Sequence, residues 1–157
     1  MQLSSRTDIE APLDYVYVAL TDFEGWERAA MRRGADVART DNLRTPGPGM
    51  AWKLDFRFRG KDRSLTLRLT DLEPDTRLAF AGGGRMFEGD GKLEVVSLAP
   101  NRTRLTLKLE MRPLTLGARL VMQSVKLAKG KVQDRLNKRM AGLALELEQR
   151  YASTRRR

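Results

Sequence analysis

The chain contains no cysteine and no histidine. Without cysteine there are no disulfides, no thiolate nucleophiles and no zinc–sulfur sites. Without histidine, no imidazole serves as a base, a metal ligand or a switch near neutral pH. Ser-His-Asp and Cys-His catalysis, histidine-ligated zinc and the iron facial triad are excluded in their usual forms. A metal held by carboxylates alone stays open but would need a cluster of acids. The chain also lacks any run approaching the roughly 20 apolar residues of a membrane span. No apolar run follows Met1, so no secretory signal is read and cytoplasm is the expected location.

What is present describes one globular domain. The 157 residues are 41% hydrophobic and 32% charged, which suits a single core of ordinary composition. The net charge of +10 is unevenly placed. Residues 117–157 carry 11 Lys+Arg against 3 Asp+Glu, while residues 1–116 carry 19 against 17. Anionic partners of that C-terminal stretch are an anionic membrane surface, an acidic protein or nucleic acid. Nucleic acid is disfavoured, because only Tyr151 accompanies the charges as a stacking group. A solvated basic face remains the simplest reading.

Residues 2–9 alternate, with Leu3, Ser5, Thr7 and Ile9 on one face, as in a strand. Ala11-Pro12 opens a helix carrying Leu13, Val16, Tyr17 and Leu20. Asp22 is placed to cap a second short helix that ends before Gly34. Residues 35–41 form a short strand, and Thr45-Pro46-Gly47-Pro48-Gly49 a loop. From Met50 the period is two: Trp52, Leu54 and Phe56 face one way, Lys53, Asp55 and Arg57 the other. Turns are expected at Gly60-Lys61-Asp62, Pro74-Asp75, Gly82-Gly83-Gly84 and Pro100-Asn101. Leu65, Leu67, Leu69, Leu78, Phe80, Phe87, Leu93, Val95, Leu105, Leu107 and Leu109 continue the apolar face. Hairpin spacing implies a mainly antiparallel sheet with one face to cover.

The C-terminus supplies the cover. Val121, Val125, Ala128, Val132, Leu136, Met140, Leu143, Leu147 and Tyr151 follow helical spacing. One helix over 116–151 would be about 54 Å long, more than a small sheet needs, so a break near Gly117 or Gly130 is expected. Thr115 is the expected cap.

The segments DIEAPLDYVYVALTDFEGWERA, DLEPDTRLAFAG and LEVVSLAPNRTRLTLKLE, taken in order, resemble the START-like (helix-grip, or SRPBCC) superfamily. That superfamily includes polyketide cyclase/dehydrase-type and coenzyme-Q-binding-type proteins. The resemblance spans nearly the whole chain, residues 1–152 as one domain, with 153–157 as a basic tail. It implies an α+β fold, in which a curved antiparallel sheet of six or seven strands wraps a long C-terminal helix. Two short helices follow the first strand, and an apolar cavity lies between sheet and helix.

The expected cavity lining is Trp52, Leu54, Phe56, Leu67, Leu69, Phe80, Phe87, Val95, Leu107, Leu109, Val121, Ser124, Val125 and Ala128. The same residues also suit a filled core. Ser5, Thr7, Ser97 and Ser124 are the candidate hydroxyls. No catalytic residue, metal or cofactor is assigned, because the alternation points Asp55, Glu94 and Glu110 away from the apolar face. Asp22, Glu24, Glu88 and Asp90 stand near element ends, where they could reach a pocket mouth. Gly82-Gly83-Gly84-Arg85 lacks the helix and lysine of a phosphate loop. The leading expectation is non-catalytic binding of a small hydrophobic ligand: a lipid, quinone, isoprenoid or aromatic polyketide. The alternatives are a cyclase or dehydratase-like enzyme, and a regulatory module acting through the basic helix.

Overall fold

Alternating side chains in seven segments make one seven-stranded antiparallel sheet. A computed structural model describes residues 1–156. The elements are β1 (Gln2–Ile9), α1 (Leu13–Leu20), α2 (Phe23–Arg32), β2 (Asp36–Arg39), β3 (Ala51–Phe58) and β4 (Lys61–Glu73). They continue with β5 (Arg77–Gly83), β6 (Phe87–Ala99), β7 (Arg102–Pro113), α3 (Leu116–Leu127) and α4 (Lys129–Arg155). The sheet is curved and unclosed, its strands in the order β1-β7-β6-β5-β4-β3-β2, so that β1 and β2 form its edges. The Asp22 carboxylate caps α2, accepting from the Gly25 amide at 3.1 Å, and Thr115 caps α3, accepting from the Ala118 amide at 3.0 Å.

The core sits where α1 and α4 meet the concave face. Ile9, Val16, Leu20, Leu69, Leu78, Leu105 and Leu147 are all essentially removed from water. From α4 come Met140, Ala144 and Leu147, spaced to share one helical face. Thr103 is also buried, and its hydroxyl donates to the Ala11 carbonyl at 2.8 Å. That bond ties the β1–α1 link to β7.

Two strand boundaries differ from the sequence reading, and each has a local cause. The first hairpin turns at Arg59 (φ +53°) and Gly60 (φ +75°), with Phe58 paired to Lys61. Two left-handed residues in succession match the strand twist of the tightest hairpins, so β4 starts at Lys61 and takes Arg63 into the sheet. The expected glycine turn is also displaced: Gly82 and Gly83 pair within β5, and the chain turns at residues 84–86. The C-terminal helix does break near Gly130, at Ala128 (φ −100°, ψ 19°), and the break changes which residues of its first half face inward. A stripe keeps its face only along one rod. Past the break, α3 turns Ala118 and Met122 inward instead, leaving Val121, Ser124 and Ala128 exposed and Val125 half-buried. Residues 153–155 extend α4 rather than forming a separate tail, and Arg157 lies outside the described residues.

The β2–β3 link depends on one carboxylate. Asp41 accepts from Arg39 Nε at 2.7 Å and from the amides of Leu43 (2.9 Å) and Ala51 (2.8 Å). The Arg39 guanidinium first, then the Ala51 amide, hold its pKa far below the usual carboxylate range. Asp8 beside Arg104 and Asp71 beside Arg77 are shifted the same way. A depressed folded-state pKa contributes stability that is present above the unfolded value of about 3.9 and lost as pH falls through the folded value. The melting temperature is therefore expected to hold from about pH 7 to 5 and to fall below about 4. Asp41→Asn should melt lower than the parent at neutral pH, with the gap narrowing in acid. A calorimetric pH series checks both, and a gap independent of pH would contradict the account.

Candidate functional site

The inward register on the half of the sheet away from the core leaves a groove. Cross-strand pairing sets Phe56 beside Arg63, Leu67 beside Gly82, Phe80 beside Gly91, and Gly91 beside Leu109. These side chains face the concave side because alternate strand residues share a face. Gly82, Gly89 and Gly91 fall at three successive inward places on β5 and β6, so the floor there is bare backbone. A Cβ at Gly82 would lie 2.3 Å from the Thr66 carbonyl oxygen, and one at Gly89 2.5 Å from that of Glu110. Larger residues would collide with backbone that cannot yield cheaply, and any side chain would also fill the hollow. The groove encloses about 1190 Å³, at or above the usual span of small-molecule sites.

Phe56, Leu67, Phe80, Phe87, Leu107 and Leu109 line the groove, joined by Leu65, Met86, Leu93 and Met111. Four other positions expected in the lining pack into or against the core instead: Trp52, Leu69 and Val95 are buried, and Leu54 is half-buried against them. Trp52 is fixed by its indole N–H, which donates to Glu27 Oε1 at 2.8 Å. With Phe23 at 5.7 Å and Phe80 at 6.4 Å between ring centroids, it forms an aromatic cluster. Phe80 belongs both to this cluster and to the groove. Val121, Ser124, Val125 and Ala128 do not reach the groove, and no residue of α3 or α4 lines it. The broken helix covers the β1 side and leaves this half open.

The polar groups at the groove divide sharply. Glu88 and Asp90 border it, and Arg112 holds both, at 3.3 and 3.1 Å. Asp55 is exposed and accepts from the Ser64 hydroxyl across the strand pair. The hydroxyls of Ser5, Ser97 and Ser124 bond within the protein, to Asn137 Oδ1 and the carbonyls of Ala99 and Leu120. Asp22 is occupied as a cap. Among the described residues, no group of acids is arranged to hold a metal ion.

Arg63 differs from all of these. It lines the groove, and its Nε–H is buried without a hydrogen-bond partner among the described residues. A buried donor left unpaired costs about 1–3 kcal/mol, more when charged. The sequence reading missed it by starting β4 too late. Arg63 shares parity with Leu65, Leu67 and Leu69, and that was the available signal.

A family model described as polyketide cyclase/dehydrase and lipid transport matches residues 1–148. No curated protein matches the chain in sequence. Among solved structures, the chain is similar to the Zhui aromatase/cyclase from Streptomyces sp. R1128, with TM-score 0.68 and 18% identity. That match covers 96% of this chain and 94% of the other. A protein from Thermus thermophilus matches with TM-score 0.68 and 16% identity over 94% of this chain and 97% of the other. A START superfamily protein from Mycobacterium smegmatis matches with TM-score 0.56 and 13% identity over 85% and 95%. At these identities the likeness is one of fold.

Proposed function

The chain belongs to the polyketide cyclase/dehydrase and lipid transport family, and from that premise we propose that it is a non-catalytic carrier. Its ligand is a small hydrophobic molecule bearing one oxygen function, held in the sheet groove. Lipids, quinones, isoprenoids and aromatic polyketides all meet that description. The observation that carries the reading is an apolar groove of about 1190 Å³ whose lining includes one buried unpaired donor, the Arg63 Nε–H. Apolar walls supply affinity through area removed from water. A placed donor such as the Arg63 guanidinium orients a ligand and selects one with an acceptor. Proton transfer would need a base within hydrogen-bond reach of the ligand; of the carboxylates bordering this groove, Glu88, Asp90 and Glu110 are engaged by Arg112, Asp55 accepts from Ser64, and Asp36 and Asp62 are exposed to water. That arrangement supports binding over catalysis.

The test is mass spectrometry of small molecules extracted from the native protein, paired with displacement of an apolar fluorescent probe. The expected result is a retained apolar molecule with a carbonyl, carboxylate or hydroxyl group, which displaces the probe from the parent. A Gly91→Phe variant, with the floor filled, should retain neither. A protein that retains nothing and takes up no probe would overturn the reading.

A further inference from the structure

The break at Ala128 gives α3 a face that nothing covers. Ala118, Met122 and half-buried Val125 form its packed side. On the opposite side Leu116 (75% exposed), Leu120 (61%) and Leu127 (92%) make one stripe, since positions i, i+4 and i+11 return to nearly the same angle on a 3.6-residue helix. Leu114, just before the helix, is exposed as well. Arg119 and Lys126 run along one side of the stripe, and Lys129 and Lys131 follow at the start of α4. None of these four cations makes an ion pair among the described residues, where the single pair of residues 117–157 is Arg150–Glu146.

We propose that α3 is a docking helix for an anionic lipid bilayer, with Leu116, Leu120 and Leu127 inserted at the headgroup boundary and Arg119, Lys126, Lys129 and Lys131 against the anionic headgroups. Leucines flanked by basic residues on one helix are what an interfacial helix requires. Charge selects this occupant over a second copy of the chain, because two copies would bring two sets of unpaired cations together. Position adds to the argument. The Leu114 amide donates to the Met86 carbonyl at 2.8 Å, and Met86 and Met111 line the groove. The docking face therefore adjoins the groove mouth, so an apolar ligand could pass between bilayer and groove with little exposure to water.

The experiment is co-sedimentation of the full chain with vesicles of phosphatidylcholine alone or mixed with phosphatidylglycerol, at low and at physiological salt. The parent should pellet with the anionic vesicles at low salt, weaken as salt rises, and ignore the neutral ones. L116Q/L120Q/L127Q and R119E/K126E/K129E should each lower binding by roughly tenfold or more, with melting temperatures unchanged because every substituted residue is exposed. A parent that does not pellet overturns the proposal, as does a leucine variant that binds like the parent. Sedimentation velocity without vesicles is the companion measurement: a dimer in the parent that the leucine variant dissolves would assign the stripe to a second copy. The vesicles carry no ligand, so failure here leaves the groove's proposed role untouched.

Discussion

Leu147→Asp is expected to abolish the cooperative thermal transition above room temperature, while Lys138→Asp should melt like the parent. Leu147 is 2% exposed, in the cluster where α4 meets Ile9, Val16 and Leu105. Burying an unpaired carboxylate costs several kcal/mol after relaxation, and the lost leucine adds about 2–5 kcal/mol of cavity and transfer terms. Domains of this size are stable by only about 5–15 kcal/mol in total, so the sum is comparable to the whole. Lys138 is exposed, and surface changes usually stay within about 0.5 kcal/mol. Leu136→Asp should fall between them, because Leu136 is only half-buried. Circular-dichroism melts of the three variants check the order. Equal small shifts would show that α4 does not close the core.

The second large effect concerns recognition. Arg63→Met should weaken binding of an apolar carboxylate such as naphthoic acid by roughly 10–100-fold, since hydrogen bonds to charged groups contribute about 1.5–3 kcal/mol. Binding of naphthalene, which offers no acceptor, should be unchanged. The free protein should be as stable as the parent or slightly more so, because the substitution removes a buried donor that has no partner. Isothermal titration with both compounds, beside a melt of each protein, separates the outcomes. Equal losses for both compounds would mean Arg63 shapes the groove rather than reading an oxygen. A large drop in melting temperature would mean that its Nε–H is satisfied within the fold.

The strands, the paired short helices and both capping residues were readable because each rests on local chemistry. Alternation marks β3, β4 and β7. An acid or threonine three residues ahead of a free amide marks the starts of α2 and α3, as Asp22 and Thr115 do. Arg63 was missed by a hairpin turn placed one residue late. Arg59 carries a positive φ, and no composition rule favours arginine there. The glycine floor was read as a turn for a related reason. Glycine punctuates chains far more often than it paves a cavity, and only the pairing of Gly82 with Gly89 shows which it does here.

By itself the sequence determined the fold class, the absence of imidazole and thiol chemistry, and the location of the excess charge. These follow from composition, periodicity and the order of elements, which are properties of the chain whatever its path. Only the tertiary structure decided which apolar residues fill the core and which face open space. Trp52 and Phe56 carry the same periodic signal in β3, yet Trp52 packs in the core while Phe56 lines the groove. The same holds for the long C-terminal stripe. Its residues are apolar from Val121 to Tyr151, but the break at Ala128 rotates α3 away from the phase of α4. Burial depends on what lies opposite a side chain, and that is set by contacts between segments far apart in the chain. Period and spacing record only the neighbours along it.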